Sequence, residues 1–147
     1  MSQYVEGPTR TYAVSSALAQ YRRVKVSASV LAYAGSTDVE LGTLEKPAVT
    51  GDVYGTVRLR TAQGTVKMVA VDAITAFNPV YAAANGKISA SGTVLLGIAQ
   101  EASTADGDVI EVLRRGETSD SSASGGTTAA VFEVDSDAST PKIALAG

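Results

Sequence analysis

Residues 78–113 read NPVYAAANGKISASGTVLLGIAQEASTADGDVIEVL. Short runs of Val, Ile and Leu alternate with Gly, Asn, Asp and Ser. That pattern predicts strands at 80–83, 87–91, 94–100 and 109–113, separated by tight turns. Asn85-Gly86 suits a type I′ turn, because both residues accept positive φ. The helical alternative for VYAAANG fails on length, since a short Ala run cannot nucleate a stable helix alone.

Working outward, the same logic reaches the rest of the body. RVKVSASVLA, from Arg23, alternates Val24, Val26, Ala28 and Val30 against Arg23, Lys25, Ser27 and Ser29. It reads as one half-buried strand. A short strand is expected near Val39 to Leu41. VYGTVRLR (53–60) and TVKMVAV (65–71), joined by TAQG, read as a hairpin. DAITAFN remains either a helical turn or a loop. No long internal repeat and no heptad is visible.

The ends differ from this body. Residues 1–19, MSQYVEGPTRTYAVSSALA, follow no period and are broken by Gly7-Pro8, so they read as an arm. Residues 20–115 form the β-rich body. GETSDSSASGGTT (116–128) is a polar linker. Residues 129–147 form a β extension with two apolar segments, AAVFEV and KIAL. The fold class expected is all-β: a small β-barrel or β-sandwich with an N-terminal arm and a C-terminal extension.

Composition sets limits. The 147 residues suffice for one domain with a core. Hydrophobic residues make up 45%, but aromatics only 5%, and Trp is absent. Ala and Val must therefore fill the core, which gains less area per residue and would benefit from an oligomer or a host surface. A formal charge of −3 argues against a nucleic-acid partner. The local basic cluster is Arg22, Arg23 and Lys25. No apolar run is long enough for a membrane helix, and the N-terminus lacks a signal-peptide pattern, so a soluble protein without a membrane partner is expected.

Chemistry is sparse. With no His and no Cys, Ser-His-Asp and Cys-His sets and zinc-thiolate sites are excluded. Nothing brings a Ser-Lys or Thr-Lys pair together. No glycine stretch matches the phosphate-binding loop. ADGD (105–108), with Glu101 or Glu111, offers oxygens of the type calcium takes, but the EF-hand spacing is missing and a Gly-centred turn explains the same residues. The expectation is a non-enzyme with no catalytic residues, no metal and no cofactor. Six tyrosines are present, and Tyr4, Tyr12 and Tyr21 fall in or beside the arm. Exposed aromatics of this kind mark interfaces. Candidate contacts to a partner surface or a second subunit are Tyr4, Tyr12, Tyr21, Arg22, Arg23, Phe132 and Ile143.

Residues 20–114 also resemble the capsid decoration, or cement, proteins of tailed phages. The resemblance rests on Gly64-Thr65-Val66-Lys67, Val80-Tyr81, Gly86-Lys87, Gly97-Ile98-Ala99, Glu101-Ala102, and Ala105-Asp106-Gly107-Asp108 leading into Val109-Ile110-Glu111-Val112. Two departures stand out: Phe77-Asn78-Pro79 replaces the family's Gly-containing turn, and residues 116–147 have no counterpart. The resemblance implies a β protein on the outer surface of an icosahedral head, made in the host cytoplasm, that reinforces contacts between capsomers. Its partners would be the major capsid protein and further copies of itself, with a trimer favoured. The alternative is another phage structural β-module: a tail-tube, head-completion or fibre-associated protein.

Overall fold

A computed structural model describes residues 7–115. Residues 1–6 and 116–147, and with them Tyr4, Phe132, Ile143, the linker and the extension, lie outside the described residues.

The body is all-β, as expected. Ten strands follow in chain order: β1 (Thr9–Ala13), β2 (Arg23–Ser27), β3 (Val30–Tyr33), β4 (Gly42–Leu44), β5 (Tyr54–Leu59), β6 (Thr65–Val69), β7 (Pro79–Ala82), β8 (Ile88–Ser89), β9 (Leu95–Ala99) and β10 (Val109–Arg114). They form two antiparallel five-stranded sheets, ordered β1-β5-β4-β2-β3 and β6-β10-β9-β7-β8. The first sheet uses only the first half of the body, and the second only the second half.

Each half has its own core. Val14, Leu18, Val24, Leu31, Leu44 and Val57 pack together in the first. Met68, Ile74, Val80, Ile88, Ile110 and Val112 are among those that do so in the second. The second sheet curls until its two edges meet, where Ala70 bridges Ile88. The expected barrel or sandwich is thus realised as two small sheets side by side, each wrapped on its own cluster.

The two halves repeat one another. Read in chain order, the strands of both sheets follow the same sequence of pairings. Tyr21 and Phe77 both sit in the left-handed region, at φ 63° and 68°. Their amides donate to Leu44 O and Ala99 O, at 2.9 and 2.8 Å. Gly42 and Gly97 lie where strands pass so close that a Cβ would come within 2.1 Å of Arg58 O and 2.2 Å of Leu113 O. The last turns end alike, with Gly51 and Gly107 at φ 100° and 98°. The sequence shows no repeat because few side chains coincide; what recurs is backbone geometry, which many sequences satisfy.

Several expectations need correction. The stretch from Arg23 is two strands, since Ala28 and Ser29 take φ 49° and 69° and turn the chain back. This turn matches Asn85-Gly86, at φ 58° and 72°, which is the I′-type turn expected there. The strand placed near Val39 to Leu41 begins at Gly42. The hairpin of 53–60 with 65–71 does not form: β5 is already paired on both edges, by β1 and β4, so the chain crosses to the second sheet. Residues 7–19 are no free arm. β1 pairs with β5 from Thr9↔Arg58 to Ala13↔Tyr54, and Val14 and Leu18 are buried. An edge strand with one paired side shows only a weak alternation, which is why the segment appeared aperiodic.

Candidate interaction site

Where the halves meet, the contact is polar. Arg23 is fully buried. Its Nη2 donates to Ala83 O at 2.6 Å and Gly35 O at 3.1 Å, and its Nε to Lys87 O at 3.1 Å. Ala83 and Lys87 flank the Asn85-Gly86 turn, so one guanidinium clamps that turn from both sides. Gly86 N also donates to Ala34 O at 2.8 Å, and Arg22 Nη1 to Asn85 O at 2.9 Å. Glycine is required at position 86, because a Cβ there would lie 2.5 Å from Arg23 O. Beside this clamp, Arg114 Nη2 pairs with Glu40 Oε2 at 2.8 Å, both side chains being almost fully buried. Burial pushes the Arg23 and Arg114 guanidinium groups down from their ordinary value, and Glu40 opposes the shift in both. Both remain cations, since an arginine starts so far above neutrality.

The proposed contact residues therefore separate. Arg23 is an internal clamp and presents no surface. Arg22 is half-buried, with its guanidinium 5.2 Å from the centre of the Tyr33 ring. Tyr12 lies on edge strand β1 with Arg10 stacked 5.0 Å from its ring centre. Tyr21 is half-buried in an open cleft between the halves, lined also by Thr43, Glu45, Arg58, Thr65 and Lys67. Of these tyrosines and arginines, Tyr21 and Arg22 stand near one another at the junction, and Tyr12 stands apart on β1.

The acidic turn is a turn. Asp108 Oδ2 accepts from Thr104 N at 2.8 Å, Ala105 N at 3.1 Å and the Thr104 hydroxyl at 3.1 Å. Asp106 pairs with Lys87 Nζ at 2.5 Å, and Glu101 accepts from Glu111 N at 3.0 Å. Among the described residues, no group of three or more acids is placed to hold a metal ion. The Thr104 and Ala105 amides hold the Asp108 carboxyl below the usual range, and Lys25 with the Gly35 amide does the same for Asp38. A carboxyl depressed in the folded state stabilises fully above its unfolded value, near pH 4, and that stabilisation is lost as pH falls through the lower folded value. Thermal unfolding followed from pH 6 to pH 2 should show a smaller acid loss in Asp108→Asn than in the natural chain. Parallel curves would mean that the turn contributes nothing.

A different face was missed by sequence reasoning. Pro79, Leu95, Ile98 and Leu113 line a shallow apolar groove on the second half, with Arg114 and Arg115 beside them. Ile98 is 44% exposed and Leu113 47%, and Phe77 on the same half is 71% exposed. The available signal was LLGIA: a strand apolar on both faces covers something on each side.

No protein-family model matches this sequence, and no curated protein matches it. Among solved structures, the chain is similar to the head fiber gp8.5 N base of bacteriophage phi29, with a TM-score of 0.62 and 15% identity, over 73% of this chain and 92% of that one. At that identity the likeness is one of fold.

Proposed function

We propose that this chain is a structural component of a phage particle that binds the outside of the head and works by adhesion, without catalysis. The observation that carries the reading is the fold shared with nearly the whole of a phage head-fibre base. The resemblance of residues 20–114 to decoration proteins supports the same assignment independently, through the order and spacing of its turns. In the described body, Asp106, Asp108 and Glu101 are all engaged in turn and strand contacts, which suits a scaffold.

The partner is the major capsid protein. A protein that bridges two capsomers binds the assembled shell and not the separated subunits, so mass action stabilises the shell. The contribution per site is modest, yet it recurs at every equivalent site on the lattice. The test is a titration of purified heads lacking the protein, read by sedimentation and gel densitometry. Saturation at hundreds of copies per head is the decoration outcome. The second reading, a fibre base, is favoured by the head-fibre neighbour itself; saturation at tens of copies, each continued by a distal fibre, identifies it. No binding to heads at micromolar concentration rejects both.

A further inference from the structure

The second sheet leaves part of one edge unpaired. β6 stands at the end of the sheet order, with β10 on one side. Ala70 N donates to Asp108 O at 2.8 Å. The ladder alternates from there, so Met68 and Val66 exchange hydrogen bonds with β10, while Lys67 and Thr65 point their amides and carbonyls the other way. The opposite strand agrees: the carbonyl of Glu111, level with Lys67, accepts from Gln100 N at 2.8 Å on the side away from β6. The closure of the sheet through Ile88 meets this edge at Ala70, past Val69. Among the described residues, no backbone group pairs with Thr65 or Lys67 on that side.

That edge borders the cleft at the junction. Thr65, Val66 and Lys67 line it from the second half, and Tyr21, Thr43, Glu45 and Arg58 from the first, around a space of about 300 Å³. Lys67 Nζ lies 6.0 Å from the centre of the Tyr21 ring. Arg58 Nη2 donates to Gln63 O at 2.6 Å, which occupies one nitrogen of its fork. Against these two cations the lining holds one carboxylate, Glu45. Glu111 is held by the Thr65 hydroxyl and does not line the cleft. The hydroxyl of Thr43, a buried residue of the same lining, has no hydrogen-bond partner among the described residues. In a chain of net charge −3, this is a locally positive slot beside unsatisfied main-chain groups. We propose that it takes an extended segment of a partner protein, added to β6 as a further strand, with an acidic side chain set between Arg58 and Lys67. Main-chain pairing supplies affinity, and the two cations select the segment. A lysine on an open edge also discourages pairing of like edges between copies, so the slot is closed to this chain's own β6. The inference stands on the edge and its charges and does not depend on whether that partner is a capsid protein.

The probe is a capped heptapeptide of alternating valine and glutamate, titrated into the full chain and followed by NMR and amide hydrogen exchange. In the free chain the amides of Thr65 and Lys67 should exchange quickly, and those of Val66 and Met68 slowly. With the peptide at about 1 mM, exchange at Thr65 and Lys67 should slow by about tenfold or more. Lysine in place of the peptide's glutamate should weaken binding by about tenfold or more. Methylation of alternate peptide nitrogens should do the same, because it removes the donors of a strand. Lys67→Glu, on the exposed face of β6, should reverse the preference and bind the lysine peptide more tightly, which a merely misfolded variant would not do. Thr65 and Lys67 amides already protected in the free chain overturn the proposal, since the chain itself or a second copy then covers the edge. Unchanged exchange in the presence of the peptide overturns it too, as does equal binding of the glutamate, lysine and N-methylated peptides.

Discussion

Replacing Arg23 with methionine is expected to lower stability by about 3–5 kcal/mol. Methionine keeps much of the stem's packing, so the loss isolates the guanidinium. The carbonyls of Gly35, Ala83 and Lys87 would each lose a donor, that of Ala83 in a buried contact and the other two in partly buried ones. Glu40 would also lose a neighbouring cation that offsets its burial. Arg23→Lys should recover only part of the loss, because an ammonium cannot span the carbonyls that the planar fork reaches. Urea unfolding is the measurement. Because each half has a separate core, the variant should unfold in two transitions and the natural chain in one. A loss below about 1 kcal/mol would mean that the clamp is incidental.

The second large effect tests the repeat. Gly42→Ala and Gly97→Ala should each cost about 3 kcal/mol or more, the upper range for overpacking. In both, the new methyl would be driven into a carbonyl oxygen of the neighbouring strand, at 2.1 and 2.2 Å. That oxygen belongs to a rigid paired backbone and cannot swing aside. Gly51→Ala is the contrasting case: it meets nothing within 4 Å and its strain comes only from φ 100°. If Gly97→Ala is tolerated while Gly42→Ala is not, the halves are alike in topology but not in strand spacing.

The legible parts of the fold were those where side-chain pattern and turn chemistry agree. Asn85-Gly86 between Val80 and Ile88 is such a case, and β7 to β10 emerged near their true bounds. Ala28-Ser29 failed because neither residue advertises positive φ, so β2 and β3 appeared as one strand. The supposed hairpin of β5 and β6 failed because Gly64 and its neighbours specify a turn but not a partner. Pairing was decided by β1, a strand with too little alternation to be seen. The same blindness hid the interface. Arg23 looked like a surface charge, as nearly every arginine in a strand is, and only tertiary structure reveals three carbonyls converging on it. The apolar face lay open in LLGIA, but distinguishing buried from exposed Ile98 required knowing which half covers which.

The division into halves also bears on how far apart in the chain the paired segments lie. All pairings of the first sheet lie within residues 9–59, and all those of the second within 65–114. Each sheet is therefore assembled by a short chain search, and a β protein of this length folds with the contact distances of one half its size. Arg23 gains two of its three acceptors only from the second half, after the turn between Ala83 and Lys87 exists. Joining the two halves thus means taking one cation out of water, and the carbonyls of the 83–87 turn stand in for the hydration it loses.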